Sequence, residues 1–594
     1  MKRQLFITMM MVMLTSIAMH AYDFEVDGMY YNINGDEVAV TSGDNKYTGD
    51  VTSPETVSNQ GTTYTVTAIG EQAFEYCPDL TGVTIPNTVI TIGLRAFMNC
   101  HSLASAQLSN SLTTIGNLAF YDCNLTSIDI PNSVTEIGNS AFYSCCLTSV
   151  DIPGSVTKIG INAFYGNGIE SINIPSSVTT IGRCAFSRCP RLTQIVVDAG
   201  NPVYDSRDNC NAIIETSTNK LITGCCNTII PDGVVTIGQE AFSYSNNLTT
   251  INMPNSVASI EQEAFYECRA LRNLTIGNSV TSIGQYAFVG CQALIDLVIP
   301  DAVTTIGSNA FYGCSALKSV TIGNSVTFMG EKLFGNCNAL ETINFNAVSC
   351  PDFSSTVAAR PFNGLNIKTI NIGNSVQRVP GRFAQGLTSL TRLTIGSSVA
   401  EFGEYAFYDC DALSQLSVSD DNPLFDTRHN CNALIETATN TLVLGLNNST
   451  IPNSVTAIGT GAFQSRKGIT EISIPASVIT IGDNAFYYCT GLTGITIPNS
   501  VTTIGTNTFY GCTALTDITI PNSVTTLGAG AFNGCISLSN TTIPSSVTAI
   551  GDDAFYNCNS LTEIFVGRDS YARKYCIDHD LSYTCTDAND WPNG

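Results

Sequence analysis

Charged side chains are scarce in this sequence. Asp, Glu, Lys and Arg make up 12% of its 594 residues, and 49 acids against 25 bases give a formal net charge of −24. Binding to nucleic acid is therefore disfavoured, because no basic stripe is available to neutralise phosphates. We expect the negative charge to keep an exposed surface soluble instead.

Residue types that commonly perform catalysis or hold metals are also few. The chain has one Trp and four His. His101, His429 and His579 stand in unlike contexts, and no Ser or Cys is arranged beside one of them as a nucleophile. There are neither CxxC pairs nor clustered His, so a zinc site is disfavoured. We expect no catalytic residue, no metal site and no cofactor, and hence a protein that is not an enzyme.

Long apolar runs are absent after the first 21 residues. Lys2 and Arg3 precede the run LFITMMMVMLTSIAM, and Ala21 stands before Tyr22. This order of basic, apolar and small residues is typical of a secretory signal peptide, which we assign to residues 1–21. The run is shorter than the ~20 residues that a membrane span needs. The sequence therefore predicts a secreted or cell-surface protein without a transmembrane segment.

Repetition is what the sequence has in abundance. Phenylalanine, mostly in Ala-Phe, recurs in steps that are mainly 22 or 23 residues long. A period in the twenties is typical of leucine-rich repeats, whose units stack because none can bury its apolar face alone. The Phe positions that we expect to form an internal ladder include Phe74, Phe97, Phe120, Phe265, Phe288, Phe311, Phe486, Phe509, Phe532 and Phe555.

The residue types within one unit predict its local structure. Residues 515–520 alternate apolar and polar side chains, as a strand does, and Pro521 ends the strand because it has no N–H to donate. NSVTTLG follows as a second extended piece, with Gly528 in a turn that we expect to need a positive φ. AGAFNGCISL shows no such alternation and reads as a helical or 3₁₀ turn, with Phe532 and Cys535 pointing inward. We predict a β-rich solenoid of ~23-residue coils, each with a short parallel strand, a turn, a second extended piece and a helical or 3₁₀ turn.

The cysteines follow the same period. Fourteen of the 23 stand three residues after the repeated Phe, among them Cys268, Cys291, Cys314, Cys489, Cys512 and Cys535. A secreted chain with many Cys invites disulfides, but this spacing favours one stack of buried thiols that behave as small apolar residues. Cys576 and Cys585 lie outside the stack and could form a bridge.

The recurring pattern (Ile/Val)-Pro-x-Ser-Val-Thr-x-Ile-Gly-x-x-Ala-Phe-x-x-Cys-x-x-Leu-Thr-x-Ile resembles the BspA-type leucine-rich repeat of bacterial surface proteins, over residues 67–566. Residues 22–66, beginning YDFEVDGMYYNING, resemble the flanking segment of that family and are expected to form a β-rich cap. Residues 567–594, beginning with the GRDSYARKYC stretch, resemble its C-terminal tail. Pro-Asn follows the strand directly, as at Pro521, so the Asn ladder of ordinary leucine-rich repeats is not assumed.

Two steps of the repeat, from Phe186 to Phe242 and from Phe407 to Phe463, are more than twice the usual length. Each holds a similar insert, near residues 198–230 and 419–451. AIIETSTNKLI in the first insert predicts strand, turn and strand, so we expect each insert to be a β-hairpin that leaves the solenoid.

The inserts also offer possible metal ligands, since Asp205, Asp208, Asn209 and Asn211 could supply oxygens to calcium. However, His429 replaces Asp208 in the second insert and the spacing is not that of an EF-hand. A structural hairpin is therefore favoured.

The outward strand positions form the candidate ligand face, because a long array displays them side by side to large partners. They include Asp129, Asp151, Asn173, Asn252, Asn344 and Asn371. Asp129 and Asp151 occupy equivalent positions of adjacent coils. As a pair they could bind a cation, although solvated surface acids are the favoured interpretation.

Two functions remain open at this point. The first is a non-catalytic protein-binding protein of the cell surface, and the family resemblance implies adhesion to matrix or plasma proteins such as fibronectin or fibrinogen, or to other cells. The alternative is an extracellular glycan-binding or polysaccharide-active solenoid. Low charge and a face rich in Thr speak against an enzyme of this kind, and the single Trp, Trp591, offers little aromatic platform for glycans.

Overall fold

The computed structural model describes residues 22–586, so the predicted signal peptide and Trp591 lie outside the described residues. The described residues separate into two compact units, unit 1 up to Leu294 and unit 2 from Ile295. Both units are built of parallel coils with little helix, and equivalent residues of neighbouring coils are typically 23 positions apart, which confirms the predicted β-solenoid. The described strands of unit 1 are β1 (Phe24–Val26), β2 (Met29–Asn34), β3 (Glu37–Thr41), β4 (Gly49–Thr52), β5 (Thr56–Asn59), β6 (Thr62–Ile69), β7 (Leu80–Thr84), β8 (Thr91–Ile92), β9 (Ser105–Gln107), β10 (Thr114–Ile115), β11 (Glu136–Ile137), β12 (Lys158–Ile159), β13 (Ser171–Ile174), β14 (Thr180–Ile181), β15 (Gln194–Val197), β16 (Tyr204–Asp205), β17 (Ala212–Glu215), β18 (Lys220–Gly224), β19 (Thr236–Ile237), β20 (Thr250–Asn252), β21 (Ser259–Ile260), β22 (Asn273–Thr275) and β23 (Ser282–Ile283).

Unit 2 repeats this arrangement and ends in the α-helix of the described residues, α1 (Tyr571–Asp578). Short 3₁₀ helices lie at Arg207–Asn209 in unit 1 and at Val357–Ala359 and Arg428–Asn430 in unit 2. The strands of unit 2 are β24 (Asp296–Ile299), β25 (Thr305–Ile306), β26 (Ser319–Ile322), β27 (Phe328–Met329), β28 (Thr342–Phe345), β29 (Thr369–Ile372), β30 (Arg378–Val379), β31 (Arg392–Ile395), β32 (Glu401–Phe402), β33 (Gln415–Val418), β34 (Phe425–Asp426), β35 (Leu434–Glu436), β36 (Thr441–Leu444), β37 (Ala457–Ile458), β38 (Glu471–Ser473), β39 (Thr480–Ile481), β40 (Gly494–Thr496), β41 (Thr503–Ile504), β42 (Asp517–Thr519), β43 (Thr526–Leu527), β44 (Asn540–Ile543), β45 (Ala549–Ile550), β46 (Glu563–Gly567) and β47 (Tyr583–Thr586).

Each coil contributes strands to two rows. In the coil of β42 and β43, β42 pairs in parallel with β44 of the next coil, and β43 pairs in parallel with β45. The register advances by one whole coil, so equivalent residues stand beside each other. Ile518 and Ile520 are buried between the rows while Thr519 is exposed, as the alternation of apolar and polar residues requires.

The N-terminal segment begins the sheet with antiparallel strands. β1 pairs with β2 and β2 with β3, and β3 then pairs in parallel with β6. Tyr30 and Tyr31 of β2 are buried, and the backbone N–H of Tyr30 donates to the Tyr47 hydroxyl at 3.1 Å. These rings cover the end of the Phe ladder, since the Tyr47 ring lies 4.4 Å from that of Phe74.

The segment that follows the second strand of each coil is a run of turns rather than the predicted helical or 3₁₀ piece. Ala531 N donates to Gly528 O at 3.3 Å and Cys535 N to Phe532 O at 3.1 Å. A left-handed residue, Gly530 at φ 60°, stands between these bonds and prevents a helix. Phe532 N donates instead to Ala554 O of the next coil, at 2.8 Å.

The Phe side chains lie stacked inside the coils. The rings of Phe486 and Phe509 are 5.4 Å apart and 5° from parallel, and Phe509 and Phe532 are 5.5 Å apart at 6°. In unit 1, Phe265 and Phe288 are 4.9 Å apart at 2°. All of these rings are fully buried, so the ladder fills the core with offset-stacked aromatic contacts.

The thiols that follow the ladder are buried donors. Cys512 Sγ donates to Phe486 O at 3.2 Å, and Cys535 Sγ donates to Phe509 O at 3.2 Å. Each thiol thus satisfies a carbonyl of the preceding coil. In the coil of Phe164 the position is held by Asn167, whose Nδ2 donates to Phe142 O at 2.8 Å. None of the cysteines in residues 22–586 forms a disulfide, including Cys576 and Cys585.

Gly528 is needed for a different reason from the one predicted. Its φ is not positive, but a Cβ placed there would meet Thr506 N at 2.4 Å. Glycine therefore permits the close approach of two backbones. The same kind of contact recurs at Gly505 and Gly551, so these glycines form a column along the coils.

The predicted hairpins that leave the solenoid are not confirmed. In the first insert β16, β17 and β18 are antiparallel, as the sequence suggested. β18 then pairs in parallel with β19, so the insert is part of the solenoid sheet. The second insert repeats this with β34 to β37. Asp205, considered as a calcium ligand, holds Arg207 at 2.7 Å.

Candidate ligand-binding surface

The candidate surface is the strand face, by which we mean, in each unit separately, the outward side chains of the first strand of each coil, such as β13 in unit 1 and β28 and β42 in unit 2. Asp129, Asp151, Asn173 and Asn252 of unit 1 are exposed on it, and Asn344 and Asn371 of unit 2 are half-buried. The apolar residues that alternate with them are buried in the core, which fixes the direction of each polar side chain.

Asp129 and Asp151 occupy equivalent positions of consecutive coils in unit 1. Thr126 and Thr148 stand three residues before Asp129 and Asp151. Thr148 N donates to Thr126 O at 3.0 Å, which joins the two coils at this point. Neither Asp lies in a strand, because the coils here are joined by fewer regular hydrogen bonds than in β13 and β15. The backbone register nevertheless places the two carboxylates in one column.

Elsewhere in unit 1 the strand face is mixed in polarity. Asn173 of β13 stands beside Val196 of β15, and Asn252 of β20 stands beside Thr275 of β22. Val196 is 42% exposed. Amide, hydroxyl and apolar groups therefore alternate along this part of the face, which suits a partner with both polar and apolar groups.

In unit 2 the strand face brings Asn344 and Asn371 together. The two residues are in register on β28 and β29, and Asn371 Nδ2 donates to Asn344 Oδ1 at 2.8 Å. Asn344 Nδ2 in turn donates to Thr321 Oγ1 at 3.1 Å. This short amide chain holds the side chains in fixed orientations, so little conformational entropy is lost when a partner binds.

Threonine hydroxyls stiffen the edge of the strand face. Thr493 Oγ1 donates to Thr470 O at 3.0 Å, and Thr516 Oγ1 donates to Thr493 O at 3.2 Å. Because each hydroxyl donates its proton to the preceding coil, the side chain presents its methyl group and oxygen lone pairs outward.

Basic and acidic groups also stand on the strand face of unit 2, where Asp296, Glu471 and Asp517 are exposed at the start of their strands. Lys368 Nζ and Glu341 Oε1 are paired at 2.6 Å, and both side chains are exposed. Arg392 of β31 is also exposed, between Thr369 and Gln415 in the register. The face can therefore bind through charged groups as well as through neutral hydrogen-bonding groups and shape.

The second insert adds a recess to the strand face that the sequence did not reveal. A cavity of about 530 Å³ lies between Arg392, Ser417 and the insert residues Asn430 and Asn432. Asn432 Oδ1 accepts a hydrogen bond from Leu416 N at 2.8 Å, so the insert caps the edge of β33. Because we expected the insert to leave the solenoid, its contact with the face was missed.

Across residues 22–586 the structure contains no helix that is both long and apolar enough to cross a membrane. Within the same range, no group of three or more His, Cys, Asp or Glu is placed to hold a metal ion.

The stacked parallel coils with an internal Phe ladder define a leucine-rich repeat protein. A family model of the BspA type leucine rich repeat region, six copies long, matches residues 67–194, 222–341, 338–433 and 442–562. The chain belongs to this family. No curated protein matches it.

Three solved structures are similar to the chain. The pneumococcal vaccine antigen PcpA is 22% identical with a TM-score of 0.50, over 59% of this chain and 93% of PcpA. A leucine rich cell surface protein from Faecalibacterium prausnitzii is 31% identical with a TM-score of 0.47, over 55% of this chain and 94% of its own. A leucine-rich repeat protein from Bacteroides ovatus is 24% identical with a TM-score of 0.39, over 92% of this chain and 100% of its own.

Proposed function

We propose that this protein is a non-catalytic, secreted or cell-surface protein that binds other proteins through the strand face. The observation that carries the proposal is the ordered row of amides and hydroxyls that each unit displays along its coils, typified by the Asn371–Asn344–Thr321 chain. Such a row offers many weak, fixed hydrogen-bonding groups over a large area, which matches the extended surface of a folded protein.

A binding role accords with the chemistry of the face. Hydroxyls of Thr and Ser and amides of Asn dominate the face. Leucine-rich repeat proteins are, in addition, a non-enzymatic family type. A hydrolase acting on polysaccharides would need two carboxylates facing one bond. In the described coils, the Asp129 and Asp151 column has no basic side chain beside it in the register, so we propose that it contributes to binding rather than to catalysis.

Secretion and the identity of the partner belong to the same proposal. The basic and apolar order of residues 1–21 supports export. The family resemblance points to matrix or plasma proteins such as fibronectin or fibrinogen, or to the surfaces of other cells, and thus to adhesion.

The test is binding of residues 22–594 to immobilised fibronectin and fibrinogen, measured by surface plasmon resonance. The double variants Asn344→Ala/Asn371→Ala and Asp129→Ala/Asp151→Ala each remove part of the strand face in one unit. We expect at least one of them to weaken binding by about tenfold, which corresponds to about 1.4 kcal/mol.

The matched control is Asp552→Ala, which removes an exposed carboxylate from a turn segment away from the strand row. Its affinity should equal that of the unaltered chain. Equal affinities for all variants would contradict the strand face as the binding surface, and hydrolysis of any polysaccharide by the same sample would contradict the non-catalytic role.

A further inference from the structure

The second insert interrupts the Phe ladder of unit 2 and leaves a cavity beside it. The cavity has a volume of about 660 Å³ and is lined by the coil of Phe407, the insert and the coil of Phe463. Binding sites for small ligands commonly measure about 300–1,000 Å³. The cavity lies beside the ladder turns, so it is separate from the strand face described above.

Tyrosine rings form part of its wall. Tyr405, Tyr408 and Tyr487 all line the cavity, and the Tyr405 and Tyr408 rings lie 5.6 Å apart at 84°. Tyr405 is 42% exposed, and the Arg382 guanidinium lies 5.6 Å from the centre of its ring. The cation–π contact holds one face of the ring in place, so the ring is a fixed aromatic surface at the mouth of the cavity.

Amide side chains supply the polar part of the wall. Gln385, Gln464, Asn484 and Asn507 all line the cavity, each with one acceptor and two donors on its side chain. Gln385 Oε1 is buried and has no hydrogen-bond partner among the described residues. A buried acceptor without a partner is costly, and a hydroxyl donor from a ligand would satisfy it.

Few of the lining residues are of charged types, which favours a neutral ligand. Among the cavity residues, all of which the structure describes, the charged types are Glu404, whose side chain is exposed, and Arg466. The Arg466 guanidinium is fully buried and donates to the carbonyls of Gly445 and Cys410, at 2.9 and 3.0 Å, so it is already engaged. Burial raises the pKa of Tyr408 and of Tyr487, which keeps both phenols protonated as donors.

The equivalent break beside the first insert is filled by other side chains. In unit 1 the equivalent break is bridged by Arg183, whose Nη1 donates to Gln239 Oε1 at 3.1 Å. Arg188 also closes it, with its guanidinium 4.6 Å from the Tyr244 ring and its Nε 3.7 Å from Glu240.

Equivalent positions in the two units are found by counting from the ladder Phe of each coil. By this count, Glu404 of unit 2 is equivalent to Arg183. Thr460 and Gly461 are equivalent to Gln239 and Glu240. Asp409 stands in place of Arg188 and is paired with Lys467 at 2.9 Å. The two breaks are therefore spanned by different residues: Arg466 bridges the second one through Cys410 O at 3.0 Å, and the cavity lies beside this bridge.

We propose that this cavity binds a short, neutral oligosaccharide. The apolar C–H face of a pyranose ring packs on an aromatic ring such as that of Tyr405, and its hydroxyls pair with amides and phenols of the kind that line this wall. A peptide would need an apolar pocket or an exposed strand edge here. The site is independent of the proposed protein-binding role of the strand face.

The test uses residues 22–594 and calorimetric titration with neutral gluco-, galacto-, manno- and N-acetylglucosamine oligosaccharides of two to four sugars. The variants Tyr405→Ala and Gln385→Ala remove the aromatic surface and the unpartnered acceptor. Tyr556→Ala is the matched control, since Tyr556 is a 60% exposed tyrosine of the same turn segment in another coil. Thermal melts of all variants check that each one folds.

We expect at least one oligosaccharide to bind the unaltered chain and both cavity variants to bind it about tenfold more weakly, with Tyr556→Ala unchanged. If no oligosaccharide of the set binds, or if all variants bind alike, the proposal is wrong. A peptide or protein ligand whose binding is lost in Tyr405→Ala, without saccharide binding, would also overturn it.

Discussion

Most coils have a buried hydrogen-bond donor three residues after the ladder Phe. The residue type at this position varies from coil to coil. Cys535 donates from sulfur, whereas Asn167 donates from an amide to two carbonyls, those of Phe142 and Phe164, at 2.8 Å each. At Arg466 a guanidinium takes the position, and its Nη2 donates to Phe407 O at 3.4 Å. The shared feature is a buried side-chain donor to a ladder-Phe carbonyl of the preceding coil, and at Phe509 O it adds to the bond from Cys512 N at 3.2 Å.

Alkaline pH should destabilise the protein through these thiols. Burial raises the pKa of Cys123, Cys189 and Cys489 to about 12. An unfolded thiol titrates near ~8.5, so between about pH 8.5 and 12 the folded state holds a proton that the unfolded state has lost. Stability is therefore complete below about pH 8.5 and falls by about 1.4 kcal/mol per pH unit for each such thiol above it.

We expect the urea midpoint of unfolding, measured under reducing conditions, to be lower at pH 10 than at pH 8. Cys489→Ala should reduce the dependence of the unfolding free energy on pH by about 1.4 kcal/mol per pH unit. A midpoint that is the same at both pH values would contradict the prediction, and an unchanged pH dependence in Cys489→Ala would show that this thiol is not the source.

The glycine column gives a second prediction at the scale of one residue. A Cβ at Gly528 would meet backbone atoms of Thr506 and Gly505 at 2.4 and 2.5 Å, and backbone cannot move aside as a flexible side chain can. Gly528→Ala should lower the free energy of unfolding by about 3 kcal/mol. Gly494 in β40 is the control, because nothing lies within 4 Å of a Cβ there, and Gly494→Ala should change stability by about 0.5 kcal/mol at most.

At the scale of elements, each insert is anchored by one asparagine. Asn422 Nδ2 donates to Gly396 O and Val399 O at 2.9 and 3.0 Å, and its Oδ1 accepts from Leu424 N and Phe425 N at 2.9 Å. Asn201 makes the equivalent four bonds in the first insert. The anchor joins the start of the insert to the preceding coil.

Asn422→Ala should release the second insert. The change leaves two carbonyls and two N–H groups without partners, at a cost of about 2–3 kcal/mol. We expect limited proteolysis to cut between residues 422 and 446 at least tenfold faster than in the unaltered chain. Asp420→Ala, at an exposed position two residues earlier, should be cut at the original rate. Equal rates for both variants would show that the anchor does not hold the insert.

The sequence predicted the coils well because one period governs all of their parts. Ile518 and Phe532 could be assigned to the core from their spacing alone. Gly528 was misread, because the distance between two backbones is not visible in one chain segment. The inserts were misplaced for a similar reason, since antiparallel strands have the same local pattern whether or not a neighbouring coil extends them.

The candidate surfaces were predicted only in part. Asn344 and Asn371 were placed on one face, but their contact follows from register across a lengthened coil, which no local rule specifies. The cavity of unit 2 is lined by Glu404, Thr460 and Gly461, which the second insert separates in the sequence, so no local spacing predicts it.

At the scale of the whole molecule, a solenoid needs a covered end. In unit 2, β47 pairs with β46, and α1 buries Tyr575 with its ring 6.4 Å from that of Phe555. Removing this segment would expose the apolar edge of the last coil, and exposed edges of repeat arrays promote association.

A chain that ends at residue 567 should therefore elute as oligomers or aggregates in size-exclusion chromatography. A chain that ends at residue 586 keeps β46, β47 and α1, and it is the control that should elute as the unaltered chain does. Elution of the shorter chain as a monomer would show that the last coil needs no cover.

The hydrogen bonds between turn segments run from each coil to the next, as from Phe509 to Ala531 and from Phe532 to Ala554. Under mechanical load a terminal coil can therefore detach while the coils behind it keep their bonds. Each detached coil of about 23 residues releases about 75–80 Å of extended chain. A protein tethered in flowing fluid would dissipate tension in such steps and spare the rest of the fold from rupture.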